Sequence, residues 1–312
     1  MSDWLHLSEI AGLADAQWHG QDVAITGIST DSRCIQPGDL FVALKGEHFD
    51  AHDFISPELE QQAQALMVHQ ATVSSLPILQ VDDTLRGLSR WASAWRQQLA
   101  LKMLSITGSN GKTTVKQMCS SILAQMGSVC ATEGNLNNHI GVPLSLLKLR
   151  HEHDYAVIEL GANHQHEIAR LSELALADVS VITNAGPAHL EGFGSLDGVA
   201  QAKGEIIDGL SAEGSVVLNA DDAYFEQWCE RAGKRRVISF GCSEKADYSA
   251  QWLSDNCLQL KTAEYELNIQ LALQGQHNAY NAAAAAAACA ALGATADAIH
   301  DGLSSMQAIT GR

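Results

Sequence analysis

No C-x-x-C pair occurs among the seven cysteines of this chain (Cys34, Cys119, Cys130, Cys229, Cys242, Cys257 and Cys289). An odd count at scattered spacings argues against a disulfide framework and a zinc site, so a reducing, cytoplasmic setting is expected. Positive charge is scarce: 19 Lys and Arg face 36 Asp and Glu, a formal net charge of −17. A field of that sign repels phosphate backbones and makes nucleic acid a poor general partner. An anionic nucleotide would have to be held by local N–H groups, a placed lysine and metal ions. The opening MSDWLHLSEI has neither the basic nor the apolar region of a signal peptide. No apolar run reaches membrane-spanning length, so no membrane insertion is expected. What is abundant is apolar residues, 46% of 312, enough for sizeable cores in two or three domains.

The pattern predicts an α/β protein in two parts, divided at 82/83. Residues 1–82 read as a small α/β unit: a helix over Trp4–Leu13, then short strands at 23–28, 40–44, 65–68 and 78–81 separated by turn residues. Asp83 to Leu101 reads as a helix with Leu85, Leu88, Trp91, Ala92 and Trp95 on one stripe. From Lys102 strands alternate with helices: 102–106, 155–160, 178–183, 215–219 and 236–240. That alternation predicts a mostly parallel sheet with helices on its faces. Shorter strands near 247–252, 257–261 and 265–272 suggest an antiparallel addition, and the alanine run Ala282–Ala288 predicts a helix that neighbours can approach closely.

The most informative stretch is Gly108-Ser109-Asn110-Gly111-Lys112-Thr113-Thr114, between an apolar strand and a helix-periodic segment. Glycines let a backbone turn close to phosphates, and a helix N-terminus aims N–H groups at them. Lys112 would pair with β/γ-phosphates and Thr113 would offer a hydroxyl to Mg²⁺. The stretch departs from G-x-x-x-x-G-K-[ST]: Ile106 stands where the first glycine belongs.

Other features fall on the same sheet edge, where ligands of such sheets bind. Glu159 ends an apolar strand, either as a metal ligand or as a capped or ion-paired carboxylate. His189 lies in the Gly/Pro-rich loop Thr183–Gly194, behind Asn184. Lys203 sits on a helix and in isolation reads as a surface lysine. His164 and His166 face either the site or solvent.

Taken together, TGSNGKTT (107–114), IELGAN (158–163), TNAGPAHLEGFGS (183–195), AKGE (202–205) and GQHNAYNAAAA (275–285) resemble the Mur ligase superfamily of ATP-dependent amide-bond formers. GNLNNHIGVPLSLL (134–147) and the block at 27–54 point to the branch that joins D-alanyl-D-alanine to UDP-MurNAc-tripeptide. The resemblance implies a UDP-sugar-binding first domain, a central phosphate-loop ATPase domain and a third, Rossmann-like domain. The sequence stops at Arg312, near where the third would begin, so it is expected to lack that domain and not to complete ligation alone.

The implied reaction phosphorylates the tripeptide carboxylate with ATP, and the dipeptide amine then displaces phosphate, giving a peptidoglycan precursor. The implied roles are Lys112 on the β/γ-phosphates, Thr113 and Glu159 on one Mg²⁺, and His189 on a second. Lys203 matches a lysine carbamylated in several Mur ligases, which would make it a metal ligand. Gly108 to Thr114, Asn184, His277, Asn278, Asn281 and Arg312 would hold the nucleotide; for Asn278 and Asn281, helix capping is the other reading. Ser29, Thr30, Asp31, Ser32, Arg33, Lys45 and Gly46 match the uridine-diphosphate block, with Arg33 either a phosphate ligand or half of an Asp31–Arg33 turn. Asn135, Asn137 and Asn138 match a substrate-facing asparagine cluster. A cytoplasmic bacterial monomer is expected. The competing readings are the branch that adds a diamino acid, a folylpolyglutamate synthase, an ATPase switch, and a UDP-sugar-binding module without chemistry.

Overall fold

A computed structural model describes residues 4–306, which form two compact units, Met1–Gln98 and Leu99–Arg312. The first has a five-stranded sheet in the order Gln17–His19, Ile78–Gln80, Ala65–Val68, Asp39–Val42, Gly27–Ser29. Its strands are parallel except Gln17–His19. The segment expected as one strand at 23–28 is two: Ala24–Ile25 pairs with Leu5–His6, and Gly27–Ser29 joins the main sheet. The first helix accordingly begins at Leu7, not Trp4, and ends at Ala14.

Helix Thr84–Gln97, capped by the Asp83 carboxylate on the Arg86 N–H, belongs to the first unit. The division between the compact units falls after Gln98, where the sequence pattern suggested 82/83. The cause is aromatic packing: Trp91, fully buried, stacks on Trp4 at 5.2 Å, and Arg90 Nε donates to Ala14 O. An apolar stripe announces a buried face but not the neighbour that buries it.

The second unit carries a nine-stranded sheet. Its order is Glu266–Gln270, Cys257–Lys261, Tyr248–Ser254, Arg236–Gly241, Leu210–Asn219, Ala177–Ile182, Lys102–Thr107, Tyr155–Glu159, Val129–Ala131. From Val129–Ala131 through Tyr248–Ser254 all pairings are parallel; only the last two strands are antiparallel additions.

Leu104, Ile106, Val157, Val179, Val181, Val217 and Phe240 turn one sheet face onto helices Lys112–Leu123, Gln276–Ala291 and Ala296–Ser304. In Gln276–Ala291 the seven residues Ala282–Ala288 are all fully buried. Methyl side chains let this helix lie close to both the sheet and Lys112–Leu123. It is tied at both ends: Trp252 Nε1 donates to Gly275 O at 3.2 Å, and Lys102 Nζ to Leu292 O at 2.7 Å. Among the described residues no helix is long and apolar enough to cross a membrane.

Candidate functional site

The loop after Lys102–Thr107 turns on two glycines with positive φ, Gly108 (146°) and Gly111 (82°). A Cβ on Gly108 would stand 1.9 Å from Thr183 Oγ1, and one on Gly111 2.4 Å from Asn281 Oδ1. Ile106, the departure from the usual loop pattern, is a buried strand residue; the turn begins two residues later at Gly108.

The loop is locked to the segment after Ala177–Ile182. Ser109 N donates to Asn184 O (3.0 Å), Asn110 N to Asn184 Oδ1 (3.1 Å) and Thr183 Oγ1 to Asn110 O (2.6 Å). Ser109 Oγ both donates to Gly186 O and accepts from Gly186 N, each at 2.9 Å. The Ser109 and Asn110 N–H groups are therefore engaged within the protein. No side chain caps helix Lys112–Leu123, so its first-turn N–H groups are the donors open to an anion. Lys112 Nζ donates to Gly108 O at 2.6 Å, and burial lowers its pKa.

Glu159, 3% exposed, ends the neighbouring strand. Its Oε2 accepts from Thr113 Oγ1 at 3.1 Å and its Oε1 from Asn137 Nδ2 at 2.9 Å. Lys116 Nζ lies 3.7 Å from Oε2 and donates to Thr132 O at 2.6 Å. A hydroxyl and a carboxylate side by side form an oxygen donor set suited to Mg²⁺. Ser109–Thr114, Asn135, Asn137 and Glu159 line one cleft of about 350 Å³. A second, about 590 Å³, adjoins it through Asn110, Gly111 and Thr114 and is lined also by Asn184, Phe240, His277, Tyr280 and Asn281.

The structure thus gathers most of the nucleotide candidates around one loop. Asn278 stands behind His277 and Asn281: it is buried, donates to Gln274 O at 2.8 Å and accepts from Asn281 Nδ2 at 3.0 Å. It orients Asn281, and neither residue is the helix N-cap, which is Gly275. Asn138 Oδ1 accepts from Ile140 N and Gly141 N, capping the start of helix Gly141–Leu146. Arg312 lies outside the described residues.

His189, exposed and at φ 53°, precedes the short helix Leu190–Phe193 and lines a third cleft with Asn163, His164 and Pro187. Phe193 of that helix lies beneath Lys203, whose Nζ is 5.2 Å from the ring centroid. Lys203 is no surface lysine: it is 2% exposed. Burial, and next the nearby Lys112 charge, push its pKa down to about 8. Glu205, two residues on, is also buried, and its carboxylate accepts from His166 N (2.8 Å) and Ala169 N (3.1 Å) at the start of helix Glu167–Ala175.

In the first unit Asp31 and Arg33 form a two-pronged pair, Nε–Oδ1 2.9 Å and Nη2–Oδ2 2.7 Å. The Arg33 hydrogen bond holds the Asp31 carboxyl down at about 2. Ser29 Oγ donates to Asp31 O, while Thr30 and Ser32 are half-buried beside it. Lys45 pairs with Asp50 at 3.7 Å, and Gly46 N bonds Phe49 O. Asp50, His52 and His69 bring metal-capable atoms within 4.8 Å of one another. Both His52 nitrogens are engaged, Nδ1 with Asp50 (2.6 Å) and Nε2 as acceptor from His69 N (3.2 Å), so this triad works as a hydrogen-bond tie.

Lys116, Glu205, Phe240 and Tyr280 were not singled out from sequence. For Lys116 a signal exists: it sits at i, i+3, i+7 with Cys119 and Leu123, a cation on the apolar stripe.

A glycine loop opening a helix at the carboxyl end of a central parallel strand, with an oxygen donor pair beside it, defines a nucleotide-binding α/β protein. Family models for the Mur ligase middle domain and for the Mur ligase family, catalytic domain, match residues 106–289 and 24–88 respectively, and the chain belongs to the Mur ligase family. It is 43% identical over 311 residues to the UDP-N-acetylmuramoyl-tripeptide–D-alanyl-D-alanine ligase of Escherichia coli K12, covering 98% of this chain and 69% of that one. A crystal structure of MurF from Acinetobacter baumannii superposes with TM-score 0.92 at 38% identity, over 98% of this chain and 69% of that one. MurF from Thermotoga maritima in complex with ADP superposes with TM-score 0.81 at 30% identity, over 92% and 67%.

The loop's tolerance is testable. Gly111→Ala forces a Cβ onto Asn281 Oδ1 at a φ of 82°. It is expected to weaken ADP binding about tenfold or more, from strain on the order of 1–3 kcal/mol. Calorimetric titration giving wild-type affinity would show that the loop bends freely.

Proposed function

We propose that the chain carries the ATP site and the UDP-MurNAc-tripeptide site for the reaction for which its relatives are named, the joining of D-alanyl-D-alanine to UDP-MurNAc-tripeptide at the expense of ATP. The observation that carries this is the Thr113–Glu159 pair beside Lys112 at the foot of the loop, in a chain matching that ligase of Escherichia coli over 98% of its length.

The chemical difficulty is bringing a carboxylate to a γ-phosphate, both anionic, and the remedy is positioning and charge neutralisation. The first-turn N–H groups of helix Lys112–Leu123 would receive the phosphates. Lys112 would exchange its loop-carbonyl partners for β/γ-oxygens. Thr113 and Glu159 would hold Mg²⁺, which supplies charge neutralisation between the phosphate oxygens. His277, Tyr280, Asn281 and Phe240 would shape the base pocket. Carboxylate attack on the γ-phosphorus yields an acyl phosphate and ADP; the dipeptide amine then forms the amide and phosphate leaves.

His189 and Lys203 are proposed for a second Mg²⁺. Carbamylation needs the neutral amine, which attacks CO₂, forms the N–C bond and releases one proton. At a reference pKa about one lysine in a thousand is neutral near pH 7.4, whereas a value of about 8 makes it roughly one in five. In the first unit, Ser29–Arg33 with Lys45 and Gly46 are proposed to bind the uridine diphosphate. Arg33 keeps Nη1 donors for a phosphate while Asp31 holds its other edge.

Calorimetric titration of UDP-MurNAc-tripeptide and of ADP with Mg²⁺ onto the chain tests this. Saturable binding of both is expected. Preference for UDP-MurNAc-dipeptide, with product formed only from diaminopimelate or lysine, would move the chain to the diamino-acid-adding branch.

A further inference from the structure

Lys116 belongs to no part of the proposed chemistry, yet its buried ammonium lies directly against Glu159. It is 5% exposed on the inner side of helix Lys112–Leu123. Its Nζ donates to Thr132 O at 2.6 Å, Thr132 Oγ1 accepts from Glu159 N at 3.0 Å, and Nζ stands 3.7 Å from Glu159 Oε2. Oε2 is the same oxygen that accepts from Thr113 Oγ1. The ammonium thus shares one carboxylate oxygen with the hydroxyl assigned to Mg²⁺.

We propose that Lys116 is a positioning residue and built-in counter-cation that competes with Mg²⁺ for Glu159 and so sets the metal affinity of the nucleotide site. This rests on the assignment of Thr113 and Glu159 as metal ligands. With no metal bound, the ammonium compensates a carboxylate that would otherwise be buried unpaired. With metal bound, two cations face one carboxylate and repel each other where water screens little. Both effects weaken metal binding relative to a chain with a neutral side chain at 116. The site would load metal mainly when a nucleotide's phosphates add negative charge, keeping free Mg²⁺ from occupying it alone. A lysine serving only to tie Thr132 to the helix would change stability and leave metal affinity alone.

The experiment is Mn²⁺ binding by electron paramagnetic resonance, with and without ADP, on wild type, Lys116→Met, Lys116→Arg and Glu159→Gln, with thermal unfolding followed in parallel. Lys116→Met is expected to bind Mn²⁺ about tenfold tighter or more, most visibly without ADP. It should melt below wild type without metal and gain more from Mn²⁺. Lys116→Arg should stay near wild type. Lys116→Met affinity equal to or weaker than wild type, with Glu159→Gln binding weakly, overturns the proposal. Glu159→Gln binding as well as wild type would instead overturn the metal-ligand assignment beneath it. If Lys116→Met yields no folded protein even with Mn²⁺, Lys116→Gln, which keeps a donor for Thr132 O, decides by the same comparison.

Discussion

Glu159→Ala is expected to destabilise the second unit by about 3–5 kcal/mol, because it leaves the Lys116 ammonium buried without its partner. Asn137 Nδ2 and Thr113 Oγ1 lose their acceptor in the same step. For a unit of this size each kcal/mol moves the melting midpoint by about 2–4 °C, so a fall on the order of 10 °C should appear in a calorimetric scan. Nucleotide binding should also lose its dependence on Mg²⁺. The double variant Glu159→Ala, Lys116→Met should recover part of the loss, since it removes the uncompensated charge. A single-variant loss below about 1 kcal/mol would mean that water reaches Lys116 and that the pair is not a dry one.

Lys203→Met should act in the opposite direction, stabilising the fold while removing function. The Lys203 ammonium lies beneath the surface over the Phe193 ring, and burial, reinforced by the nearby Lys112, brings its pKa from 10.5 to about 8. Between those values the unfolded chain holds more protons than the folded one, so stability rises with pH from about 8 to 10.5 and the penalty is present in full below about 8. A depression of that size corresponds to about 3 kcal/mol as an upper bound at neutral pH. Chemical denaturation from pH 7 to 10.5 should show wild type gaining on Lys203→Met, with the variant more stable at pH 7. Identical pH slopes would show that the amine is hydrated. If Lys203 carries a carbamate, ligation lost in Lys203→Ala should return in part with short-chain carboxylates; no rescue with binding intact would count against that role.

The central architecture was legible because its strands are apolar runs set between helix-periodic segments, a pattern in which length and spacing carry the information. Val129–Ala131 was missed, being three half-buried residues with no alternation to read. The split at Thr26 was hidden because both halves have strand composition and only their partners differ. Within the site, the loop was readable since phosphate binding constrains residue type and order together. Glu205 was not, because a charged residue in a helical segment looks the same whether it faces water or buried N–H groups, and Lys116 showed only as a cation on an apolar stripe. Asn138 and Asn278 show that asparagines in a binding pattern can also serve the fold: Asn138 Oδ1 holds the N–H groups of Ile140 and Gly141, and Asn278 joins Gln274 O to the Asn281 side chain.

The alanine helix gives the nucleotide pocket an unexpected dependence. Seven methyl groups make a smooth rail, with no ridge tall enough to fix how far Gln276–Ala291 slides along its own axis. A slip of one residue would carry His277 and Asn281 about 1.5 Å along the pocket wall. Stops come from the end fastenings, Trp252 on Gly275 and Lys102 on Leu292, joined by Gln276 on Cys242 and Cys289 on Cys119 O. The helix spans about 24 Å, so Lys102, at the end far from the glycine loop, helps set the gauge of the proposed base pocket.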